Sequence, residues 1–317
     1  MHRQPARRTV LGAAAAAVLG GCTGTGSDGE VPNAPVGPST TVTAANGPVP
    51  LPSAPLRVAV LDTAELDSAM TLGITPVGAS RAPADRTVPD YWPARRLAEL
   101  ADTGTVGGPD LDRLRALRPE LILSSQTRDA ANYDALRAIA PTVLSQTTGY
   151  PWKDNVQLHA RALGRLPEAD ALADAYRGQV AQLLRQIGGP GPAGGRRVSV
   201  VRFVEGRIRL YGRQNFLGTI LADLQLGRPD AQNVDRFDVE TTPDQLAGAD
   251  GDLLLYSSYG NPDAAGATPV LTGPGWQALG AVRAHRAFPV DDLLWFQGIG
   301  YTGAGLVLAQ LQQLLSF

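Results

Sequence analysis

Arginine and tyrosine alternate in the segment "RLYGR" of this 317-residue sequence. Alternate side chains of an extended segment point to the same side, so Arg209, Tyr211 and Arg213 would share one face. Arginine offers hydrogen-bond donors on a flat cation, and aromatic rings offer flat apolar surface. Arg202 lies in the apolar run "VVRF" and must have a partner or reach a cleft, because an unpaired buried cation is costly. These patterns indicate ligand binding.

Other chemistries lack a supporting pattern. His159 and His285 lie far apart in the sequence, so a metal site built from clustered histidines is not expected. No G-x-S-x-G, C-x-x-C or H-E-x-x-H motif occurs, and we expect neither catalysis nor a cofactor. The segment "GTGSDG" matches a dinucleotide-binding pattern without a strand before it or a helix after it, whereas "GIGYTG" (298–303) predicts a tight strand-to-helix turn.

Two series of short apolar runs and amphipathic stretches predict the elements that position these residues. The first series predicts an α/β lobe over 56–165, with Thr63 as the N-cap of its first helix. The second predicts an α/β lobe over 195–317, with Asn215 as a helix N-cap. Between them, 166–189 predicts one long helix. The fold class is therefore α/β, with two Rossmann-like lobes of mostly parallel strands joined by a single α-helix.

Ligands in open α/β sheets bind beyond the carboxyl ends of the strands, which gives a set of candidate side chains. Trp92 and Trp295 could alternatively belong to the core, and Trp295 is the first choice for a ligand contact. The candidate ligand-binding residues are Arg81, Tyr91, Trp92, Arg128, Arg202, Arg209, Tyr211, Arg213, Phe216, Tyr256, Tyr259, Trp295 and Phe296.

The first 55 residues predict export. Three arginines precede an apolar run of about 11 residues, too short to span a bilayer but typical of a signal peptide, and the run ends at "LGGC". The pair Arg7-Arg8 leaves both twin-arginine and general secretion open. Cys22 is the only cysteine, so no disulfide can form within the chain. Residues 23–55 are rich in Gly, Pro, Ser and Thr, and predict a disordered tether.

The charge of the remaining sequence excludes one class of partner. Removal of 1–22 leaves 25 basic and 30 acidic residues, a net charge of −5. A mildly acidic body is not typical of nucleic-acid binding. Arginine outnumbers lysine throughout, because Lys153 is the only lysine. Genomic base composition alone could cause that bias, so arginine abundance is not a sign of anion binding.

Several segments together resemble a known family. The run "LGGC" resembles a lipobox, which implies 1–22 as a lipoprotein signal peptide and Cys22 as the lipidated residue; an ordinary secretory signal is the alternative. The segments "PLRVAVLDTAELDSAMTLGITPVGAS", "PDLDRLRALRPELILSS", "WKDNVQLHARALGR" and "RLYGRQNFLGTILADLQLGRP" resemble the binding lipoproteins of ABC importers for ferric siderophores, haem and cobalamin. The resemblance covers about 49–317 and implies a class III periplasmic binding protein.

This resemblance implies a function, a location and partners. We expect a monomer, lipid-anchored outside the cytoplasm, that captures a ferric siderophore between the lobes and delivers it to a membrane permease. The iron of such a ligand is already coordinated, so the protein need not bind metal. Asp112 and Asp244 match the positions of the family's docking acids, which are usually Glu; alternatively, they only favour the N-terminal ends of their helices.

Other functions remain open at this point. The same scaffold could bind haem, with Tyr211, Tyr256 or Tyr259 as an axial ligand, or it could bind cobalamin. An anchored enzyme with a dispersed site and a sensor that has lost transport are further alternatives.

Overall fold

Short apolar runs form the inner strands of two sheets. The computed structural model describes residues 40–52, 54–84 and 86–316, so the predicted signal peptide, Cys22 and residues 23–39 lie outside the described residues. The strands are β1 (Thr40–Ala44), β2 (Gly47–Leu51), β3 (Val58–Val60), β4 (Gly78–Arg81), β5 (Ala101–Thr105), β6 (Gly108–Pro109), β7 (Leu121–Ser125), β8 (Thr142–Ser145), β9 (Val198–Val204), β10 (Arg207–Tyr211), β11 (Asp238–Thr241), β12 (Leu253–Ser258) and β13 (Ala287–Pro289).

Helices of very different length connect these strands. The α-helices are α1 (Thr63–Thr71), α2 (Ala94–Ala98), α3 (Leu111–Leu117), α4 (Gln126–Asp129), α5 (Tyr133–Arg137), α6 (Trp152–Leu163), α7 (Leu166–Gln186), α8 (Pro190–Gly195), α9 (Phe216–Asp223), α10 (Ala267–Leu271), α11 (Pro274–Gln277), α12 (Gly280–Arg283) and α13 (Tyr301–Leu314). Two 3₁₀ segments, Asp230–Gln232 and Pro243–Ala249, and a π-helical turn, Leu293–Gln297, complete the described elements.

Each lobe contains one large sheet. The first sheet has the strand order β6-β5-β4-β3-β7-β8, and only the edge strand β6 is antiparallel to its neighbour. The second sheet has the order β11-β10-β9-β12-β13, with β9, β12 and β13 parallel and β10 antiparallel to both of its neighbours. The structure therefore shows the mostly parallel α/β architecture that the alternating pattern predicts.

A β-hairpin replaces part of the predicted tether. The prediction of disorder over 23–55 was wrong for 40–51, where β1 and β2 pair antiparallel and bury Val42, Val49 and Leu51. The Asn46 side chain donates to the Thr142 carbonyl and accepts from the Leu144 amide, which attaches the hairpin to edge strand β8. The turn contains Asn-Gly, a strong hairpin signal, and each strand carries one valine, with Val42 opposite Val49. These few apolar side chains suffice because the first lobe covers them.

The long helix α7 connects the lobes. Its 21 residues make a rod of roughly 32 Å at 1.5 Å per residue. At the junction, Trp152 of α6 packs edge-on against Tyr176 of α7, Phe216 of α9 and Tyr301 of α13, with ring centroids 5.0–5.5 Å apart. The Trp152 indole also donates to Thr219 Oγ1 at 2.7 Å. These buried rings join the cores of both lobes into one apolar cluster.

The described residues all belong to one compact unit. Within that part of the chain, no helix has the length and apolar character needed to cross a bilayer.

Candidate functional site

Side chains from both lobes line a cleft with a volume of about 500 Å³. Residues that follow each of the five parallel strands of the first sheet lie along it, for example Asp62 after β3 and Arg128 after β7. The other wall is built from β9, β10, the start of α9 and the π-helical turn. This is the position in which open α/β sheets bind ligands.

Arg128 and Asp62 form a charged pair on the first wall. Arg128 Nε donates to Asp62 Oδ2 at 2.8 Å, and the Asp62 side chain is buried while that of Arg128 is 41% exposed. Asp62 also caps α1 by accepting from the Thr63 amide, so the predicted cap at Thr63 is displaced by one residue. The neighbouring Asp62 carboxylate raises the pKa of Arg128. The guanidinium is thus a fixed cation at the cleft surface.

A row of polar residues crosses the second wall. Glu240, Arg209, Arg202 and Ser257 lie opposite one another on the adjacent strands β11, β10, β9 and β12. Two arginines are therefore direct cross-strand neighbours, an arrangement that costs free energy unless nearby anions compensate.

Arg202 has its compensation within the protein. Its Nε and Nη2 donate to the two carboxylate oxygens of Asp292 at 2.7 and 2.6 Å, and its Nη1 donates to the Tyr211 hydroxyl at 3.2 Å. The rings of Tyr259 and Phe296 lie 4.9 and 4.8 Å from its guanidinium carbon. Burial alone would lower the pKa of Arg202, but Tyr211 and Asp292 raise it above the ordinary value. Both alternatives of the sequence prediction hold: the arginine has a partner and reaches the cleft.

Arg209 is less completely compensated. Its buried Nε makes no hydrogen bond to any described residue, and Asp238 Oδ2 lies 3.4 Å away, with Glu240 Oε1 at 4.0 Å. Burial raises the pKa of Asp238, opposed by Arg209. The cleft therefore contains one firmly paired arginine, Arg202, and a neighbouring arginine, Arg209, that is only loosely paired.

Comparison with known proteins places this geometry in a family. The model of the periplasmic binding protein family matches residues 58–292. The chain belongs to the periplasmic binding protein family. A probable siderophore-binding lipoprotein of Bacillus subtilis, YfiY, is 29% identical over 273 residues, which cover 83% of each chain. The Fe(3+) dicitrate-binding periplasmic protein FecB of Escherichia coli is 26% identical over 278 residues, covering 86% of this chain and 88% of FecB.

A solved structure supports the assignment. The complex of Staphylococcus aureus SirA with staphyloferrin B has a TM-score of 0.78 and 27% sequence identity, and the match covers 87% of this chain and 98% of SirA. The two-lobed α/β architecture of this periplasmic binding protein is thus that of siderophore-binding relatives, as the sequence resemblance implies.

Eight of the predicted ligand-binding residues lie along the cleft of this periplasmic binding protein. They are Arg128, Arg202, Arg209, Tyr211, Phe216, Tyr259, Trp295 and Phe296. Trp295 borders the cleft but is only 1% exposed, and its indole donates to Gln310 Oε1 at 2.6 Å. Its ring therefore lies within the wall, behind the surface that Phe296 and Tyr259 present.

The other five predicted residues do not line the cleft. Arg81 donates to the Leu100 carbonyl, and Trp92 packs beneath the Arg96 guanidinium. Arg213 forms an exposed ion pair with Asp235. Tyr256 packs against Trp276 and lines a separate cavity of about 370 Å³, because its strand turns that side chain away from the cleft. Tyr91, the fifth, participates in a contact between the lobes.

That contact centres on the buried Asp67. The Tyr91 hydroxyl donates to Asp67 Oδ2 at 2.7 Å, and the amides of Thr302 and Gly303 at the start of α13 donate to the same carboxyl group. Burial raises the pKa of Asp67, while these donors oppose the rise. The segment "GIGYTG" opens α13 as predicted, but it follows the π-helical turn and not a strand, and a Cβ on Gly300 would collide with Asp67.

A second buried acid lies behind the first wall. Glu65 and His159 are fully buried, with Glu65 Oε1 3.8 Å from His159 Nε2, and neither of these atoms has a hydrogen-bond partner among the described residues. Burial, together with the nearby Asp62, raises the pKa of Glu65 to about 8. Burial lowers the pKa of His159 to about 3. Both groups are thus neutral near pH 7, because each charged form would be poorly solvated.

The two predicted docking acids are accessible. Asp112 lies in the first turn of α3, has a side chain that is 94% exposed and pairs with Arg115. Asp244 is exposed at the start of the 3₁₀ segment Pro243–Ala249. Neither lines the interlobe cleft.

Several cleft residues were not predicted from the sequence. They are mostly small polar groups after strand ends, namely Asp62, Thr127, Thr147, Thr148 and Gly149, together with Phe237 of the second lobe. The position of Thr147–Gly149 directly after β8 is a signal that the strand-end rule could have used. Among the described residues, no group of three or more His, Cys, Asp or Glu side chains is arranged to hold a metal ion.

Proposed function

We propose that this protein is the substrate-binding lipoprotein of an ABC importer for ferric siderophores. The observation that carries the proposal is the interlobe cleft, which combines fixed arginines with aromatic rings in a member of the periplasmic binding protein family. A coordinatively saturated ferric chelate offers oxygen acceptors and flat surface, and these side chains complement both. The names of YfiY, FecB and the SirA complex support the same ligand class.

The protein's part in transport is binding and release, without covalent chemistry. Lipidation at Cys22 would keep the receptor on the extracytoplasmic face of the membrane. Asp112 and Asp244 lie on different lobes, so a permease that contacts both would sense how the lobes are placed. No cofactor is required, because the iron arrives within the ligand.

Fluorescence titration tests the proposal. Trp295 borders the cleft, so binding of a coloured ferric complex should quench its emission with a one-to-one stoichiometry. We expect saturation at micromolar or lower concentration with at least one ferric siderophore. The Trp295→Phe variant should lose most of the quenching while retaining affinity in calorimetry.

Haemin provides the opposing outcome. The Tyr211 hydroxyl already accepts from Arg202, and Tyr256 lies in the separate cavity, which disfavours an axial ligand from either side chain. Haemin binding with a Soret shift, together with no response to any ferric siderophore, would overturn the proposal.

A further inference from the structure

We propose that the cleft selects ferric complexes of carboxylate-bearing chelators, with Arg209 as the specificity-determining residue. This inference rests on the proposed function and refines its ligand class. It begins from the cross-strand pair Arg202 and Arg209, which places two guanidinium groups side by side on one wall of the cleft.

The two arginines differ in what they can give to a ligand. Arg202 uses Nε, Nη1 and Nη2 for Asp292 and Tyr211, and two rings pack against it. Arg209 has only loose ion pairs, at 3.4 and 4.0 Å from its buried Nε, and 21% of its side chain is exposed where it lines the cleft. The exposed part of this loosely paired guanidinium can donate to an acceptor on the ligand, and a charge-assisted hydrogen bond of this kind is stronger than a neutral one. Arg202, which is neutralised by Asp292, fixes the wall, and Arg209 supplies the hydrogen bond to the ligand.

The opposite wall adds a further cation. Arg128 is held through Nε by Asp62 and is 41% exposed, so a ligand that fills the cleft lies between guanidinium groups from both lobes. The cleft lining contains three arginines and two carboxylates, Asp62 and Glu205. The hydroxyl-bearing residues Thr127, Thr147 and Thr148 line the same side as Arg128.

Coordination chemistry distinguishes the ferric chelates that could meet this surface. A hydroxamate or a catecholate commits both of its oxygens to iron. A carboxylate coordinates iron through one oxygen and keeps a second, charged oxygen facing outward, where a guanidinium can bind it. The cleft volume of about 500 Å³ also lies in the lower half of the usual range for ligand sites, which favours a small chelate over a bulky tris-catecholate.

The test compares three probes on the full chain: ferric citrate, ferrioxamine B and ferric enterobactin. We expect ferric citrate to bind at least 10-fold more tightly than either of the others. Arg209→Gln should weaken ferric citrate binding by about 10- to 100-fold, the usual effect of losing a charge-assisted hydrogen bond. Any weak ferrioxamine B binding should change by less than about threefold.

Matched variants separate a specific effect from a general one. Arg137→Gln removes the same charge at an exposed residue of α5 outside the cleft lining, and its affinity should equal that of the unaltered protein. Thermal unfolding checks that Arg209→Gln is folded; if it is not, Arg128→Gln replaces it, with the same expected loss. Tighter binding of ferrioxamine B or ferric enterobactin, or an equal loss for all probes, overturns the inference and leaves the proposed function intact. If no ferric chelate binds, both the inference and the proposed function are refuted.

Discussion

Replacement of Glu65 by Gln should change how the stability of the protein depends on pH. Glu65 is fully buried, and its carboxyl oxygens have no hydrogen-bond partner among the described residues. Its pKa is about 8 in the folded chain, against 4.5 in the absence of the fold. The folded state keeps a proton that the unfolded state releases, so the contribution of Glu65 to stability is complete below pH 4.5 and is lost as the pH rises to about 8.

The size of this stability change follows from the difference between the folded and unfolded pKa values of Glu65. Each pH unit between the two pKa values is worth about 1.4 kcal/mol, so the whole effect is of the order of 5 kcal/mol. The pKa of His159 falls from 6.5 to about 3, which lowers stability on the acid side of pH 6.5. Between pH 6.5 and 8.5, the pH dependence of stability therefore reports on Glu65 and not on His159. Over this interval, the free energy of unfolding of the unaltered protein should fall by about 2 kcal/mol more than that of Glu65→Gln.

Urea denaturation followed by circular dichroism at pH 6.5, 7.5 and 8.5 measures this difference. A buried amide without partners has its own cost, so the two proteins differ at every pH, and the test is the change in that difference. Glu168→Gln, which removes an exposed carboxyl group on α7, controls for the loss of a negative charge. If the curves for Glu65→Gln and the unaltered protein run parallel over this interval, the carboxyl group is not held as a buried acid and the reasoning fails.

Three further predictions concern the lobe junction, the hairpin and docking. Trp152→Ala should lower the free energy of unfolding by about 3–5 kcal/mol, and Trp152→Phe by less, as measured by urea denaturation; equal effects would contradict an aromatic junction. Val42→Ala should cost about 2 kcal/mol and exposed Thr43→Ala far less, whereas equal losses would mean that the hairpin is not part of the core. Asp112→Arg combined with Asp244→Arg should reduce uptake in cells at least tenfold while affinity in solution stays within twofold; unchanged uptake would remove the docking role.

The sequence predicts the strands well where both faces of the sheet are buried, because successive residues of such a strand must then be apolar. Continuous apolar runs mark β7, β9 and β12, and the Asn215 side chain caps α9 by accepting from the Gly218 amide. The hairpin was missed because the segment is mostly polar on average, although the Asn-Gly turn and the valine on each strand carry the signal. A composition average over 23–55 concealed a local pattern of twelve residues.

The cleft was less predictable from the sequence. Alternation along a strand shows which side chains share a face of the sheet, but not which face points to the cleft. Tyr256 and Tyr259 close the same apolar run, yet one packs into the far side of its sheet and the other lies at the cleft. Arg202 required a partner, but Asp292 lies 90 residues away and no local pattern connects the two. Trp295 was identified as an aromatic beside the cleft, whereas its bond to Gln310 depends on how α13 packs on the π-helical turn.

The shared aromatic junction has a consequence for selectivity. Because Trp152 and its neighbours belong to both cores, and Asp67 ties the first lobe to α13, wide separation of the lobes would expose buried rings and break buried hydrogen bonds. The cleft is therefore preorganised, and little conformational entropy remains to be lost when a ligand enters. A receptor of this kind discriminates by shape and charge that exist before the encounter, and a chelate that does not match gains little from induced fit.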